Sequence, residues 1–137
     1  MKHLPNILGA LLGLAFVAFS LMFLLDMVPE QPAPPEGSPV ALFMGAFAPS
    51  GYLHFVKACE LLGGILVAIP LTRNFGLLVL GPVILNILAF HGFITAGEGL
   101  ISPILIIICL IAAYLLWDGR RRFACLLNRQ PEEARRR

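Results

Sequence analysis

Charge is scarce in this sequence. Only 13% of the 137 residues are Asp, Glu, Lys or Arg, against about 25% in an ordinary soluble domain, while 58% are hydrophobic. So few charges cannot cover a water-facing surface, which excludes a conventional soluble domain. Cysteine is short as well. Cys59, Cys109 and Cys125 are alone in the chain, and no two form a C-x-x-C pair. A disulfide framework, a thioredoxin-type motif and a cysteine metal site therefore find no support. The chain also lacks a Gly-rich phosphate loop, a metal-spaced His pair, a Ser-His-Asp set and a nucleic-acid module. No catalytic residue, metal or nucleic-acid partner is expected, and the chain is not expected to be an enzyme on its own.

Long apolar runs are what the sequence does have. Four of them, at about 5–25, 52–70, 75–94 and 100–117, come near the roughly 20 residues that a bilayer core requires. Trp117 and Tyr114 suit the membrane–water interface at the end of the last run. In lipid every backbone amide needs an internal partner, so the runs must be helices. The expected fold is all-α: a bundle of four transmembrane helices in a single membrane domain over 1–128. The first run begins with Met1-Lys2-His3, which fits a secretory signal. Its apolar stretch is longer than the usual 7–15 residues and no Ala-x-Ala site follows, so a retained first span is expected.

Basic residues set the orientation. Nine of the ten Lys and Arg, at Lys2, Arg73, Arg120–Arg122, Arg129 and Arg135–Arg137, fall on one side of a four-span arrangement. The opposite loops carry Asp26, Glu30, Glu36 and Glu98 without any Lys or Arg. Both termini are thus expected in the cytoplasm, with the chain in a bacterial inner membrane and the bilayer as its first partner. The tail 129–137 reads as a basic, disordered cytoplasmic end.

Between the first two runs, residues 28–39 hold five prolines and two glutamates and read as an extended outer loop. Residues 40–47 are apolar but too short to span, so they should lie at the outer interface or fold back into the mouth of the bundle. The link Leu71-Thr72-Arg73-Asn74 forces the second and third spans to be antiparallel neighbours. Gly81-Pro82 predicts a kink in the third span, and Ser102-Pro103 a capped start to the fourth. Gly9, Gly13 and Ser20 form a small-residue stripe on the first span, which lets a neighbouring helix approach closely.

One span carries charge. Lys57 and Glu60 are three residues apart, hence on one helical face, and His54 extends the row outward. Gly63 and Gly64 leave room for another helix beside the carboxylate. At about 1.5 Å per residue, Glu60 lies roughly 12 Å inside Tyr52, and Asn86 roughly 12 Å inside residue 94 of the antiparallel partner. The candidate polar cluster is therefore Lys57, Glu60, Asn86, His54 and His91, open to the non-cytoplasmic side. Asn86 and His91 stand about 140° apart on an ideal helix, so both face the second span only if the helix is distorted. Three readings of the charges stay open: a structural Lys57–Glu60–Asn86 network, a Lys57 that snorkels outward and leaves Glu60 unpaired, and a ligand or proton site.

The succession Gly51-Tyr52, Lys57-x-x-Glu60-x-x-Gly63-Gly64-x-Leu66, a tight turn containing Arg73 and a third span with Asn86 and His91 resembles the DoxX-like family of four-helix membrane proteins, over about residues 7–117. The family name derives from a subunit of a thiosulfate:quinone oxidoreductase. Other members are linked to redox complexes, and distant relatives act as cargo receptors or assembly chaperones. The resemblance implies an accessory or assembly partner of a membrane complex, with a protein complex as partner and self-association as a further expectation. The alternative is a redox-associated subunit that binds a quinone or similar lipid-soluble ligand, with Phe43, Phe47, Tyr52 and Phe90 as an apolar wall. A small-solute or proton permease is a further alternative. No cofactor is identified; quinone is the one compatible with these readings.

Overall fold

The computed structural model describes residues 3–127. Five α-helices run in the order α1 (Leu4–Leu24), α2 (Pro39–Phe47), α3 (Tyr52–Ala68), α4 (Arg73–Ala89) and α5 (Pro103–Leu127), and there is no strand among the described residues. The four longer helices close a ring in which α3 packs on α1 and α4, and α5 completes the circle against the same two. Leu12, Phe16, Val67, Leu80 and Leu115 fill the centre. Many large apolar side chains point outward instead, among them Phe55, Leu71, Leu85, Phe93 and Ile101. A surface of this kind suits hydrocarbon rather than water.

Three helices, α1, α4 with its extension to Ile94, and α5, are long and apolar enough to cross a membrane. The helix α3 reaches that length only together with α2, from which it is bent by 83°. By itself α3 has 17 residues, about 26 Å, slightly short of a hydrocarbon core of about 30 Å.

Glycine brings α1 and α3 together. A Cβ at Gly13 would strike the Gly64 carbonyl oxygen, and a Cβ at Gly64 would stand 3.0 Å from the Gly13 oxygen. The two backbones thus touch directly, and Gly9-x-x-x-Gly13 on α1 meets the second half of α3. Gly63 faces the other way, with Leu80 of α4 in the space that its missing side chain leaves.

Helix ends follow local chemistry. Asp26 has φ 53°, while the Met27 amide donates to the Met22 carbonyl and the Asp26 amide to Phe23, a Schellman end for α1. The Ser38 hydroxyl accepts from the Ala41 amide and Pro39 takes the first turn of α2. The turn between α3 and α4 is tied by the Thr72 hydroxyl, which donates to the Leu66 carbonyl at 2.9 Å. The helix α4 continues through Pro82, which has no N–H to give the Leu78 carbonyl, and widens at Phe90–Ile94 into a π turn closed by the Thr95 amide on the Phe90 carbonyl. Proline does open α5 at Pro103, but the helix runs on to Leu127, ten residues past Trp117. The tail 129–137 lies outside the described residues.

Charge divides the two ends of the ring. At one end the buried Arg73 donates to the Asn6 side chain at 2.9 Å, which ties the start of α4 to the start of α1. Asn74 packs beside Gly119, so Asp118 and Arg120 belong to the same end. Asp26, the 28–38 loop and Glu98 are at the other.

Candidate ligand-binding site

The pair that the spacing on α3 predicts is an ion pair. The Lys57 Nζ donates to Glu60 Oε2 at 2.8 Å. Glu60 is only 3% exposed, whereas the Lys57 side chain retains 26%. A second donor reaches the same oxygen: the hydroxyl of Ser20, at 3.4 Å from α1. Ser20 is fully buried, two helical turns beyond Gly13 on the face that the glycines press against α3. The carboxylate therefore sits where α1 and α3 meet, held by a cation on its own helix and a hydroxyl on the next.

Above this pair lies a cavity of about 380 Å³. Lys57, Glu60, Asn86 and His91 supply its polar groups, and Phe23, Phe43, Tyr52 and Phe90 the aromatic half of its wall. The Phe23 ring fills two roles. The Lys57 ammonium stands 5.8 Å from its centroid, and the His54 ring meets it edge-on at 5.5 Å. Attraction between cation and ring helps hold Lys57 over the cavity rather than out at the surface.

The helix α2 covers the outer mouth of this cavity. Phe43 packs on Phe47 at 4.6 Å and on Phe90 at 5.0 Å, and Phe47 packs on Tyr52 at 4.7 Å. Four rings thus link α2, α3 and the end of α4. None of the α2 residues is buried, so these rings are its main anchorage.

The remaining polar residues divide. His91 lines the cavity, but its Nδ1 bonds the Glu98 carbonyl at 2.8 Å. A carbonyl only accepts, so Nδ1 carries the proton and Nε2 is left as an acceptor in the neutral ring. Gly99 makes this possible, because a Cβ there would lie 2.6 Å from Nδ1. Asn86 also lines the cavity, yet it makes no hydrogen bond to Glu60 among the described residues, and its side chain is exposed. His54 stands outside the cavity, exposed, against Phe23. Lys57, Glu60, Asn86 and His91 are thus gathered around one space, with Lys57 and Glu60 in direct contact.

Two participants escape the sequence pattern. Ser20 reads only as the last member of a small-residue stripe, and Phe23 as one more apolar residue. Their partners are more than 30 positions away, and only the packing of α1 on α3 selects them.

Ser20→Ala removes one of the two donors to Glu60 without changing volume much. Because the bond is long, a loss near the low end of the usual 1.5–3 kcal/mol for a charged acceptor is expected, about 1.5 kcal/mol. Unfolding titrations in mixed micelles, followed by the fluorescence of Trp117, would measure it.

No protein-family model matches the chain, and no solved structure matches it. Over 89 residues it is 34% identical to the uncharacterized protein YwoB of Bacillus subtilis (strain 168), a match that covers 62% of this chain and 56% of that protein. The similarity thus spans little more than half the length of that relative.

Proposed function

We propose that the chain is a DoxX-like integral membrane protein that crosses the bilayer four times, with both termini in the cytoplasm, and serves a membrane complex as an accessory component by holding a quinone or similar lipid-soluble molecule in its outer cavity. The observation that carries this reading is the Lys57–Glu60 pair beneath an aromatic-walled cavity of about 380 Å³. That volume and lining match small-molecule sites, which are mostly apolar with a few placed polar groups. Lys57 gives one of its three N–H donors to Glu60 and keeps the others for a ligand carbonyl. His91 Nε2 offers an acceptor for a ligand hydroxyl. The oxidised quinone thus finds a donor for a carbonyl at Lys57, and the reduced quinol an acceptor for a hydroxyl at His91.

The four-span part of the proposal treats α3, extended by the bent α2, as one crossing. The charge division supports the orientation: Arg73 and Arg120–Arg122 at one end, Asp26, Glu30, Glu36 and Glu98 at the other. The setting that follows is a bacterial inner membrane.

Purification in mild detergent followed by solvent extraction tests the ligand. The wild type should carry over an uncharged quinone-type molecule, and Glu60→Gln should carry about tenfold less, the effect of weakening one charge-assisted contact. Equal, negligible amounts in both proteins would count against the reading.

A further inference from the structure

Asn86 belongs to two spaces at once. On its inner side is the outer cavity. On its outer side is a groove of about 300 Å³ between α3 and α4, lined by Phe55, Cys59 and Val83 among others. Tyr52, Val56 and Asn86 line both, so these three side chains stand between the two spaces. The groove lies on the lipid-suited flank of the molecule, where Phe55 and Leu85 are two-thirds exposed. A carboxamide on such a flank is out of place. Asn86 has no hydrogen-bond partner among the described residues, and an unpaired amide facing hydrocarbon is costly.

We propose that this groove is the lateral entrance to the cavity, and that its occupant is the apolar tail of a membrane-dissolved amphipath whose uncharged, acceptor-bearing head passes Asn86 and rests at Lys57. The inference rests on the outer cavity being a ligand site, and adds the route and the charge of the ligand. Three observations carry it. The route from the aqueous side is covered by α2 and its ring pairs, Phe43 with Phe90 and Phe47 with Tyr52. The groove and the cavity share three lining side chains, and one of them, Asn86, supplies two N–H donors at the threshold. The electrostatics select the head group: Lys57 and Glu60 sum to zero, and the outer segments hold Asp26, Glu30, Glu36 and Glu98 without a balancing Lys or Arg. An anionic head such as a fatty-acid carboxylate meets net repulsion there, whereas a neutral carbonyl compound meets free donors.

Cys59 provides the test, because it lines the groove and not the cavity. In a Cys109→Ala, Cys125→Ala protein, N-ethylmaleimide applied in detergent at alkaline pH, where water reaches the thiol, adds bulk to the groove after folding is complete and before reconstitution in liposomes. The probes are a decyl benzoquinone with every other ring position substituted, so that it does not add the thiol, and palmitate. Alkylation of Cys59 should slow association of the decyl probe by at least about tenfold, within the range that steric gating of one site spans. The decyl probe should in turn protect Cys59 from alkylation, and palmitate should not. Val83→Trp, which fills the same groove from α4, should reproduce the slow association. Unchanged association after alkylation, with faster association in Phe43→Ala, would overturn the lateral route and leave the cavity as a ligand site reached past α2. Equal protection by palmitate would overturn the charge argument. A protein that binds the decyl probe under no condition would overturn this inference and the proposed function together.

Discussion

Lys57→Met is expected to destabilise the folded bundle by about 3–5 kcal/mol, the usual cost of leaving one member of a buried ion pair behind. The reason is the asymmetry of the pair. Glu60 is almost wholly enclosed, and after the substitution its Oε2 keeps only the long bond from Ser20. Lys57 is a quarter exposed and lies nearer the mouth of the cavity, so its ammonium has somewhere to go when the carboxylate is removed. Glu60→Gln should therefore cost less, about 1–2 kcal/mol, because the amide oxygen still accepts from Lys57 and Ser20. Replacing both, Lys57→Met with Glu60→Leu, should recover most of the loss, since an apolar pair of similar volume needs no compensation. Denaturant titration in mixed micelles gives all three values. A Lys57→Met protein as stable as wild type would show that the pair contributes nothing to holding α3 in place.

Gly13→Val should be nearly as damaging, at the upper end of the roughly 1–3 kcal/mol that overpacking commonly costs. A Cβ at this position lands on the Gly64 carbonyl and comes within 2.7 Å of the Ala68 Cβ and 2.9 Å of the Ala68 nitrogen. Two of those three obstacles are backbone, which cannot rotate away. The helices must separate, and Ser20, on the same face of α1, must leave Glu60 with them. Gly45→Ala is the matched control. An added Cβ meets nothing within 4 Å there, so it should be neutral or stabilising by up to about 1 kcal/mol through helix propensity. Comparable losses at Gly13 and Gly45 would mean that the close approach of α1 and α3 is not what Gly13 serves.

Much of this architecture is legible in the chain itself, for simple reasons. A run of apolar residues long enough to span declares a helix, and a spacing of three places Lys57 beside Glu60 without any knowledge of the neighbours. Ser102-Pro103 announces a helix start through local chemistry, whereas Ser38-Pro39, hidden in a proline-rich run that reads as loop, caps α2 in the same way. What the chain conceals is rotation. Equal depth sets Asn86 level with Glu60, but depth says nothing about direction around the α4 axis, and Asn86 turns to the partition instead of to the carboxylate. Ser20 is hidden for the complementary reason: its bond to Glu60 depends on how α1 is turned against α3, a choice made by Gly13 and Gly64 together. Hydropathy also marks the end of a span and not the end of a helix. It stops at Trp117, where the residues cease to suit lipid, whereas α5 carries on past Asp118 and Gly119 through Arg120–Arg122, which are good helix formers. Arg73, in a turn where it reads as a topology signal, is a buried tie to Asn6. The wide turn at Phe90–Ile94 has no advance sign in the pattern, and with Gly99 it fixes where His91 points.

Equilibrium binding of the decyl-substituted benzoquinone to the purified protein in lipid nanodiscs addresses the role of the buried pair most directly. It should be measured for the wild type and for Lys57→Met with Glu60→Leu. That double variant is expected to be folded and close to wild type in stability, so a change in binding is a change in the site. Saturable binding to the wild type, weakened at least about tenfold in the double variant, is the expected result. Equal affinity in the two proteins would contradict it, and would leave Lys57 and Glu60 as a fastening between α1 and α3 and nothing more.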